Sequence, residues 1–505
     1  MIQSIDYAAI APALIVALAA LAVLVADLFL EGSRKRLLPW LSLAGVLLAL
    51  LTLAPLADTD RRTFCIPGQD ALLVSCSYVV NQLTLVFQLI ALAGAAVVIL
   101  LSARVVPETR LPAGEYYFLL LCSVAGAVTM AAARDLVTLV VALEVVSLPA
   151  FALVGLRRYD GRSSEAALKF FLISVVSTAV MLYGISLVYG VTGAVHLDRV
   201  ASALAGIDGG PRRPVAAVGV ALTLVGFAFK VSAVPFHFWT PDTYTGAPVP
   251  VAAYLSVVSK AAGFVGIILV VSLGFRPYAD VWGPIIAVLA ALTMTLGNLV
   301  ALRQRQAVRL LAWSSIAQAG YMLVPLGVAT VKNPRGGDAL GEALSATAAY
   351  LLVYAVVNLG AFAVVTVVGR HRPANLLSDY RGLGRTEPAT ALALAFFLLC
   401  LAGLPPGLVG LFAKVVVFRS AVDGGLGWLA VVMAVNVVIA LYYYLYWVAL
   451  MFAAPAPEEA AEPLTFRVPL ETGLAVGLML GAGVVLSVVP QAVLQVLSGT
   501  APLIR

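Results

Sequence analysis

Four lysines and one glutamate stand where an ionised side chain is least at home. Lys169, Lys230, Lys260, Lys414 and Glu144 all lie inside long apolar runs. A charged group at mid-membrane costs at least ~2.5–3.5 kcal/mol, which makes each of them a functional-site candidate. Withdrawing an ammonium or a carboxylate from water favours its neutral form, so such groups can release and take up protons. A carboxylate beside an ammonium holds it protonated until the two are separated, which is a switch. Two unit charges ~10 Å apart at an effective dielectric of ~20 interact by ~1.7 kcal/mol, enough for a row of them to pass a protonation change sideways. The chemistry indicated is proton transfer.

The bland alternative is snorkelling, in which the lysine stem lies in lipid and its ammonium reaches the interface. Lys230 and Lys260 sit about half a helix from either edge of their windows, too deep for that, and Lys414 is nearly as deep. Lys169 is a single turn inside its helix and pairs with Glu165 at i, i+4, so a purely structural role stands beside the functional one. Asp27, near the end of the first helix, reads as interfacial. In FKVSAVPFHFWTPDTYTGAPVP (229–250), Pro235 breaks the helix five residues after Lys230. Irregular backbone at membrane depth is tolerated where it lines a cavity or is buried in protein, which suits a hydrated path. His237, just past the break, can exchange protons near neutral pH, although a lone His on an apolar helix is commonly a packing residue. The segment LAGLPPGLVGLFAK (401–414) repeats the theme with Pro405 and Pro406 before Lys414. Here the lysine follows the prolines, whereas Lys230 precedes Pro235, so the two halves are related without being demonstrably symmetric.

These residues need an apolar scaffold, and the composition supplies one. Of 505 residues, 62% are hydrophobic and 11% charged, with a mean hydropathy of +1.04; a water-soluble fold could not hide so much apolar surface. Windows near 8–30, 37–57, 76–102, 115–133, 135–156, 166–191, 215–238, 248–274, 281–301, 307–330, 341–369, 389–420, 427–453 and 468–495 each suit one membrane crossing. The expected fold is therefore an all-α polytopic membrane protein of about fourteen transmembrane helices, with two inverted-repeat halves and broken helices 7 and 12. Its divisions are 1–110 (helices 1–3), 111–275 (first half, helices 4–8), 276–455 (second half, helices 9–13) and 456–505 (helix 14). The first window lacks a basic leader and a clear cleavage site, so it reads as a retained helix.

The formal net charge of +6 reflects scattered loop arginines rather than a basic stripe interleaved with aromatics, so nucleic acid is not an expected partner. Loops after odd-numbered helices hold the larger share, among them Arg34, Lys35, Arg36, Arg157, Arg158, Arg162, Arg303, Arg305, Arg309 and Arg467. The opposite face holds Arg61, Arg62, Arg134, Arg199, Lys332, Arg335 and Arg505. That bias puts the odd loops in the cytoplasm and both termini on the outer face. The loop RRTFCIPGQDALLVSC (61–76) then lies outside, where a bridge between Cys65 and Cys76 is permitted; the alternative is two free thiols, Cys76 already inside the third helix. Cys122 and Cys400 read as small hydrophobes. No CxxC, His-rich tract, GxGxxG, Walker loop or GxSxG elbow is present, so no metal, electron carrier or nucleotide is expected on this chain.

FKVSAVPFHFWTPDTYTGAPVP, VVSK (257–260), WSSIAQAGY (313–321) and LPPGLVGLFAK together resemble, over nearly the whole chain, the antiporter-like membrane subunits of respiratory complex I. The missing extra C-terminal helices of the L branch and the lysine at 414, where the M branch usually has glutamate, leave the N branch. The resemblance implies that Glu144 and Lys230 form a charge pair, that Lys260 continues the path and Lys414 is its exit-side residue, and that Lys169 and His237 support it. It departs at Gln318, where the family often carries histidine: an amide can orient water but cannot hold the proton. By the same resemblance, flavin, iron–sulfur clusters, NADH and quinone reside in partner subunits. The expected partners are other complex I membrane subunits, especially neighbouring antiporter-like and small ones, and lipids. The expected setting is a bacterial inner membrane. The rival reading is a subunit of a multi-subunit sodium/proton antiporter; a passive scaffold is a third.

Overall fold

Thirteen helices among the described residues are long and apolar enough to cross a membrane, and the computed structural model arranges them as an all-α polytopic bundle. It describes residues 5–57, 59–67, 74–207, 209–329, 339–454 and 468–489. Lys332, Arg335, Arg467, Arg505, residues 68–73 of the cysteine loop, both chain termini and most of the 456–505 segment lie outside the described residues.

The chain opens with α1 (Tyr7–Phe29) and α2 (Leu38–Leu51), then a hairpin of β1 (Arg61–Pro67) and β2 (Val74–Val80). Helices α3 (Gln82–Glu108), α4 (Ala113–Ala132), α5 (Leu136–Val154) and α6 (Gly161–Thr192) follow, then a short α7 (Leu197–Ala205). Side-chain oxygens of Asp6, Asn81, Asp135 and Asp160 accept the first free amides of α1, α3, α5 and α6, which fixes where each begins. The seventh span is split into α8 (Arg212–Lys230) and α9 (Trp239–Gly246). The eighth joins α10 (Val249–Tyr254) to α11 (Lys260–Leu269) through a π turn at Leu255–Ser259, with a second π turn at Val270–Gly274. Next come α12 (Ala279–Ala301), α13 (Ala307–Val328), α14 (Ala339–His371) and a one-turn α15 (Leu383–Thr386). The twelfth span is split into α16 (Pro388–Ala402) and α17 (Leu408–Asp423), and α18 (Gly427–Phe452) and α19 (Leu470–Val488) close the order.

The eighth span, α13 and α14 form the centre and are buried almost throughout, whereas α1, α6, α18 and α19 carry rows of exposed apolar side chains. Apolar side chains left on the outside of a bundle are what a bilayer requires. All the deep lysines but Lys169 come from elements at or next to this centre.

Three sequence expectations are corrected here. Cys76 lies in β2, not in the third helix, which starts at Gln82; it sits opposite Cys65 in the antiparallel register and is bridged to it. Residues 197–205, placed in a loop, form α7. The seventh helix ends at Lys230 itself rather than five residues beyond it, because the ring of Pro235 clashes with the carbonyl four residues upstream, at Val231.

The way α8 ends is specific. The amide of Ser232 donates to the Phe229 carbonyl and that of Ala233 to the Ala228 carbonyl, with Ser232 at φ +64°, a Schellman stop. Helix α16 ends identically: Gly403 donates to Cys400, Leu404 to Leu399, and Gly403 has φ +84°. In both, proline follows three residues after the left-handed position, at Pro235 and Pro406. The two breaks are thus the same local structure written in different residues.

Candidate functional site

Lys230 is the last helical residue of α8, and its Nζ donates to Ser147 Oγ at 2.8 Å. Gly263 of α11 makes this position possible: a Cβ there would lie 3.0 Å from the Cβ and Cγ of Lys230 and 2.8 Å from Val231. Glu144 lies one helical turn before Ser147 on α5, partly buried at the edge of an exposed apolar face formed by Val137, Val141, Val145 and Leu148. Its Oε1 accepts from Thr178 Oγ1 of α6 at 2.8 Å. Glu144 and Lys230 do not meet as an ion pair; each is held by a hydroxyl, and Ser147 and Thr178 were not singled out from the sequence. The charge pairing implied by family resemblance is not formed in this structure.

Lys260 follows directly after the first π turn, which adds one residue to the helix and rotates the side chains beyond it. Its Nζ donates to Ser315 Oγ at 2.6 Å and to the Ser315 carbonyl at 2.7 Å. Tyr354 of α14 also donates to Ser315 Oγ, at 2.8 Å. The neighbouring Ser314 bonds Tyr444 of α18, whose hydroxyl accepts from Gln318 Nε2 at 3.2 Å. Gln318 accepts from Tyr350 at 2.6 Å and donates to the Leu401 carbonyl at 3.3 Å.

Lys414 completes the row. From α17 its Nζ reaches back across the break to the carbonyls of Leu401 and Ala402, 2.8 and 2.6 Å away, the last carbonyls of α16. Those carbonyls have no amide partner in a helix that stops there, and the ammonium complements the negative end of the helix dipole. Leu401 precedes Gly403 by two residues as Lys230 precedes Ser232, so the ammonium of Lys414 is bonded to the backbone carbonyl at the position in the second break that corresponds to Lys230 in the first. The mismatch seen in sequence, with one lysine before its proline and one after, is removed by the direction of the side chain. A cavity of about 10 Å³ is lined by Gln318, Tyr350, Tyr354, Cys400, Gly410 and Leu401, whose carbonyl holds Lys414, among others; that is room for about one water.

His237 is buried in the first break, its ring 5.5 Å from that of Trp313, and its Nδ1 has no hydrogen-bond partner. Lys169 is unlike the others. It is partly exposed and clamped between Glu165 (2.7 Å) and Asp242 (2.8 Å), while Arg309 takes the other oxygen of Asp242 at 2.8 Å. This network ties α6, α9 and α13 together. Asp27 pairs with Lys35 at 2.9 Å, as its interfacial position suggested. Among the described residues no group of three or more His, Cys, Asp or Glu is placed to hold a metal ion.

The sequence reading singled out Lys230, Lys260 and Lys414, which are buried, but not the residues that hold and connect them. Ser147, Thr178, Ser314, Ser315, Tyr350, Tyr354 and Tyr444 are ordinary residues of apolar helices; the only signal was their position on helices that also carry, or face, a buried charge.

A family profile described as NADH:quinone oxidoreductase/Mrp antiporter, TM matches residues 133–440, more than half of the chain. The chain is 59% identical over 516 residues to NADH-quinone oxidoreductase subunit N 2 of Streptomyces griseus, covering 98% of this chain and 94% of that one. It superposes with a TM-score of 0.75 and 32% identity on a chain of respiratory complex I from Thermus thermophilus, covering 96% and 98% of the two. A chain of the Mrp complex of a Dietzia species shares the fold, with a TM-score of 0.79 at 20% identity over 97% and 96% of the two chains.

Proposed function

The chain belongs to the NADH:quinone oxidoreductase/Mrp antiporter family of membrane subunits, on the N branch of NADH-quinone oxidoreductase, and from that premise we propose the route its own residues give to protons. It is a proton-translocating membrane subunit that works beside other membrane subunits of complex I. It takes no electron itself: flavin, iron–sulfur clusters, NADH and quinone lie in partner subunits. The membrane is the bacterial inner membrane, with the disulfide hairpin and both termini on the outer face.

The proposed cycle begins at Glu144, at the lateral surface where a partner can reach it. When a neighbouring subunit changes the charge beside it, Glu144 leaves Thr178 and attracts Lys230, whose ammonium then lets go of Ser147. Pairing with the carboxylate keeps Lys230 protonated, and separation allows it to pass a proton along water toward Lys260. From Lys260 the proton moves through Ser315, Ser314 and Tyr444 with Gln318 orienting the cavity water, to Lys414 at the second break. His237 and the Lys169–Asp242–Arg309 network hold the first half in shape. Any partner that drives this must interact differently with the paired and separated states. Exporting one proton against 100 mV requires ~2.3 kcal/mol, which several coupled sites supply better than one.

The observation that carries the route is that Lys230, Lys260 and Lys414 are all buried and all bound to neutral oxygens rather than to carboxylates. Lys230→Ala and Lys414→Ala in the whole complex should each reduce NADH-driven acidification of reconstituted vesicles by at least about tenfold. Unchanged acidification in both would leave the chain a scaffold. The sodium/proton antiporter alternative predicts, in addition, that a sodium gradient alone drives proton movement through this chain.

A further inference from the structure

One cavity of the chain has no part in the proton path. It opens on the hairpin end, has a volume near 710 Å³, and lies between β2, the start of α3, α7 and the outer end of the eighth span. That volume is in the range of small-molecule and headgroup sites. Its walls combine Leu83, Leu197, Leu269 and Leu273 with three arginines, Arg62, Arg134 and Arg276.

None of the three arginines forms an ion pair among the described residues. Asp198 is the one carboxylate in the described lining, and it is already engaged, accepting from Ser75 Oγ at 2.7 Å and from the Arg199 amide at 2.8 Å. Arg134 is the unusual member. It is buried in the short link between α4 and α5, with its two terminal nitrogens on neutral oxygens: the Ala131 and Ala133 carbonyls, Asn81 and Thr84. Burial pushes its guanidinium down to about 10, and the charge of Arg62 adds to that shift; at pH 7 it is still a cation. Three guanidinium groups against the single carboxylate of Asp198 leave the wall with an excess of positive charge, which describes half of an anion site. Guanidinium groups match the oxygens of a phosphate in spacing and plane.

We propose that this cavity binds a phosphate-bearing anion, its charge held by Arg62, Arg134 and Arg276 and any attached acyl or glycerol part by Leu83, Leu197, Leu269 and Leu273. The site lies at the level where the apolar helices end, so a phospholipid headgroup and free inorganic phosphate are the two sources of the same chemistry.

The test uses the purified, delipidated complex and photoactivatable phosphatidylglycerol, with a diacylglycerol probe of equal chain length as the phosphate-free control. Phosphatidylglycerol should label peptides from 74–83, 197–205 or 269–277, and diacylglycerol should label them about tenfold less. Arg62→Gln with Arg276→Gln, both at exposed positions, should lower the phosphatidylglycerol labelling by a similar factor. If millimolar inorganic phosphate abolishes the labelling and radiolabelled phosphate is itself retained by the unaltered complex, the anion site stands with free phosphate as its occupant. Equal labelling by the two probes in the unaltered complex would overturn the proposal. So would labelling by phosphatidylglycerol that the double substitution leaves unchanged.

Discussion

At the scale of the residue, the four lysines divide by what holds them. Lys230, Lys260 and Lys414 rest on hydroxyls and carbonyls, which remain satisfied when the ammonium loses its proton. Lys169 rests on two carboxylates, which would be stranded if it did. Arginine cannot give up a proton in a protein, so it separates the two roles. Lys169→Arg should leave most of the pumping, while Lys230→Arg should lower it at least about tenfold with the complex still assembled, as checked by NADH oxidation with a hydrophilic acceptor. The buried charges were visible in the sequence because nothing else explains a lysine at such depth. Their hydroxyl partners were not, because a Ser in an apolar helix satisfies itself on its own backbone as readily as it serves a neighbour, and a Tyr there is equally at home as a packing aromatic.

Asp6 shows the same logic at the surface. It caps α1 through the amides of Ala8 and Ala9 and takes Arg61 of β1 at 3.1 Å, anchoring the hairpin. Desolvation pulls its carboxyl upward, but the Arg61 guanidinium and the two amides outweigh that and leave it below the usual aspartate value. A depressed carboxyl contributes stability that is complete above the unfolded-chain value and is lost as pH falls through the folded one. The anchoring should therefore be constant from pH 5 to 8 and weaken only below about pH 4, read as faster amide exchange in the hairpin.

At the scale of the element, both halves stop a helix with the same motif, and only part of that motif is written in obvious residues. The prolines were legible. The register of the stop was not, because the ring of Pro235 acts on a carbonyl four residues earlier, so the helix ends on Lys230 instead of beyond it. Ser232 holds its left-handed position without being glycine, which hid the likeness to Gly403. Gly403 has both reasons to be glycine: its φ is +84°, and a Cβ would sit 3.1 Å from Lys414 Cδ. Gly403→Ala should cost about 1–2 kcal/mol in stability and also slow pumping by displacing Lys414. Ser232→Gly relieves the left-handed backbone but removes the acceptor of the buried Thr240 hydroxyl, which donates to Ser232 Oγ at 2.7 Å, so it should leave a net cost of about 1 kcal/mol; thermal unfolding of the two variants side by side checks both. The hairpin was missed for another reason. VSCSYVV (74–80) is apolar enough to extend the third helix on hydropathy alone, and only its β-branched and aromatic content argued for a strand.

At the scale of the whole molecule, the composition announced a membrane bundle, and the spans follow the apolar windows closely except at the two breaks and the hairpin. What the sequence could not express is convergence. Lys260 on α11 and Lys414 on α17 are connected only because α13, α14 and α18 pass between them and contribute Ser314, Ser315, Gln318, Tyr350, Tyr354 and Tyr444. Gln318, which looked like a gap in a histidine relay, is hydrogen-bonded to Tyr350, Tyr444 and the Leu401 carbonyl that also holds Lys414. On the proposed route, an amide in that place orients its neighbours without storing the proton. Lys260 is the middle lysine of the proposed route. The most direct test is the number of protons released per NADH oxidised by the complex carrying Lys260→Met in sealed vesicles, a change that keeps the volume of the side chain and removes its proton. The account predicts that acidification falls at least about tenfold, because the row is cut at its middle. An unchanged proton yield per NADH, at an unchanged rate, would contradict it.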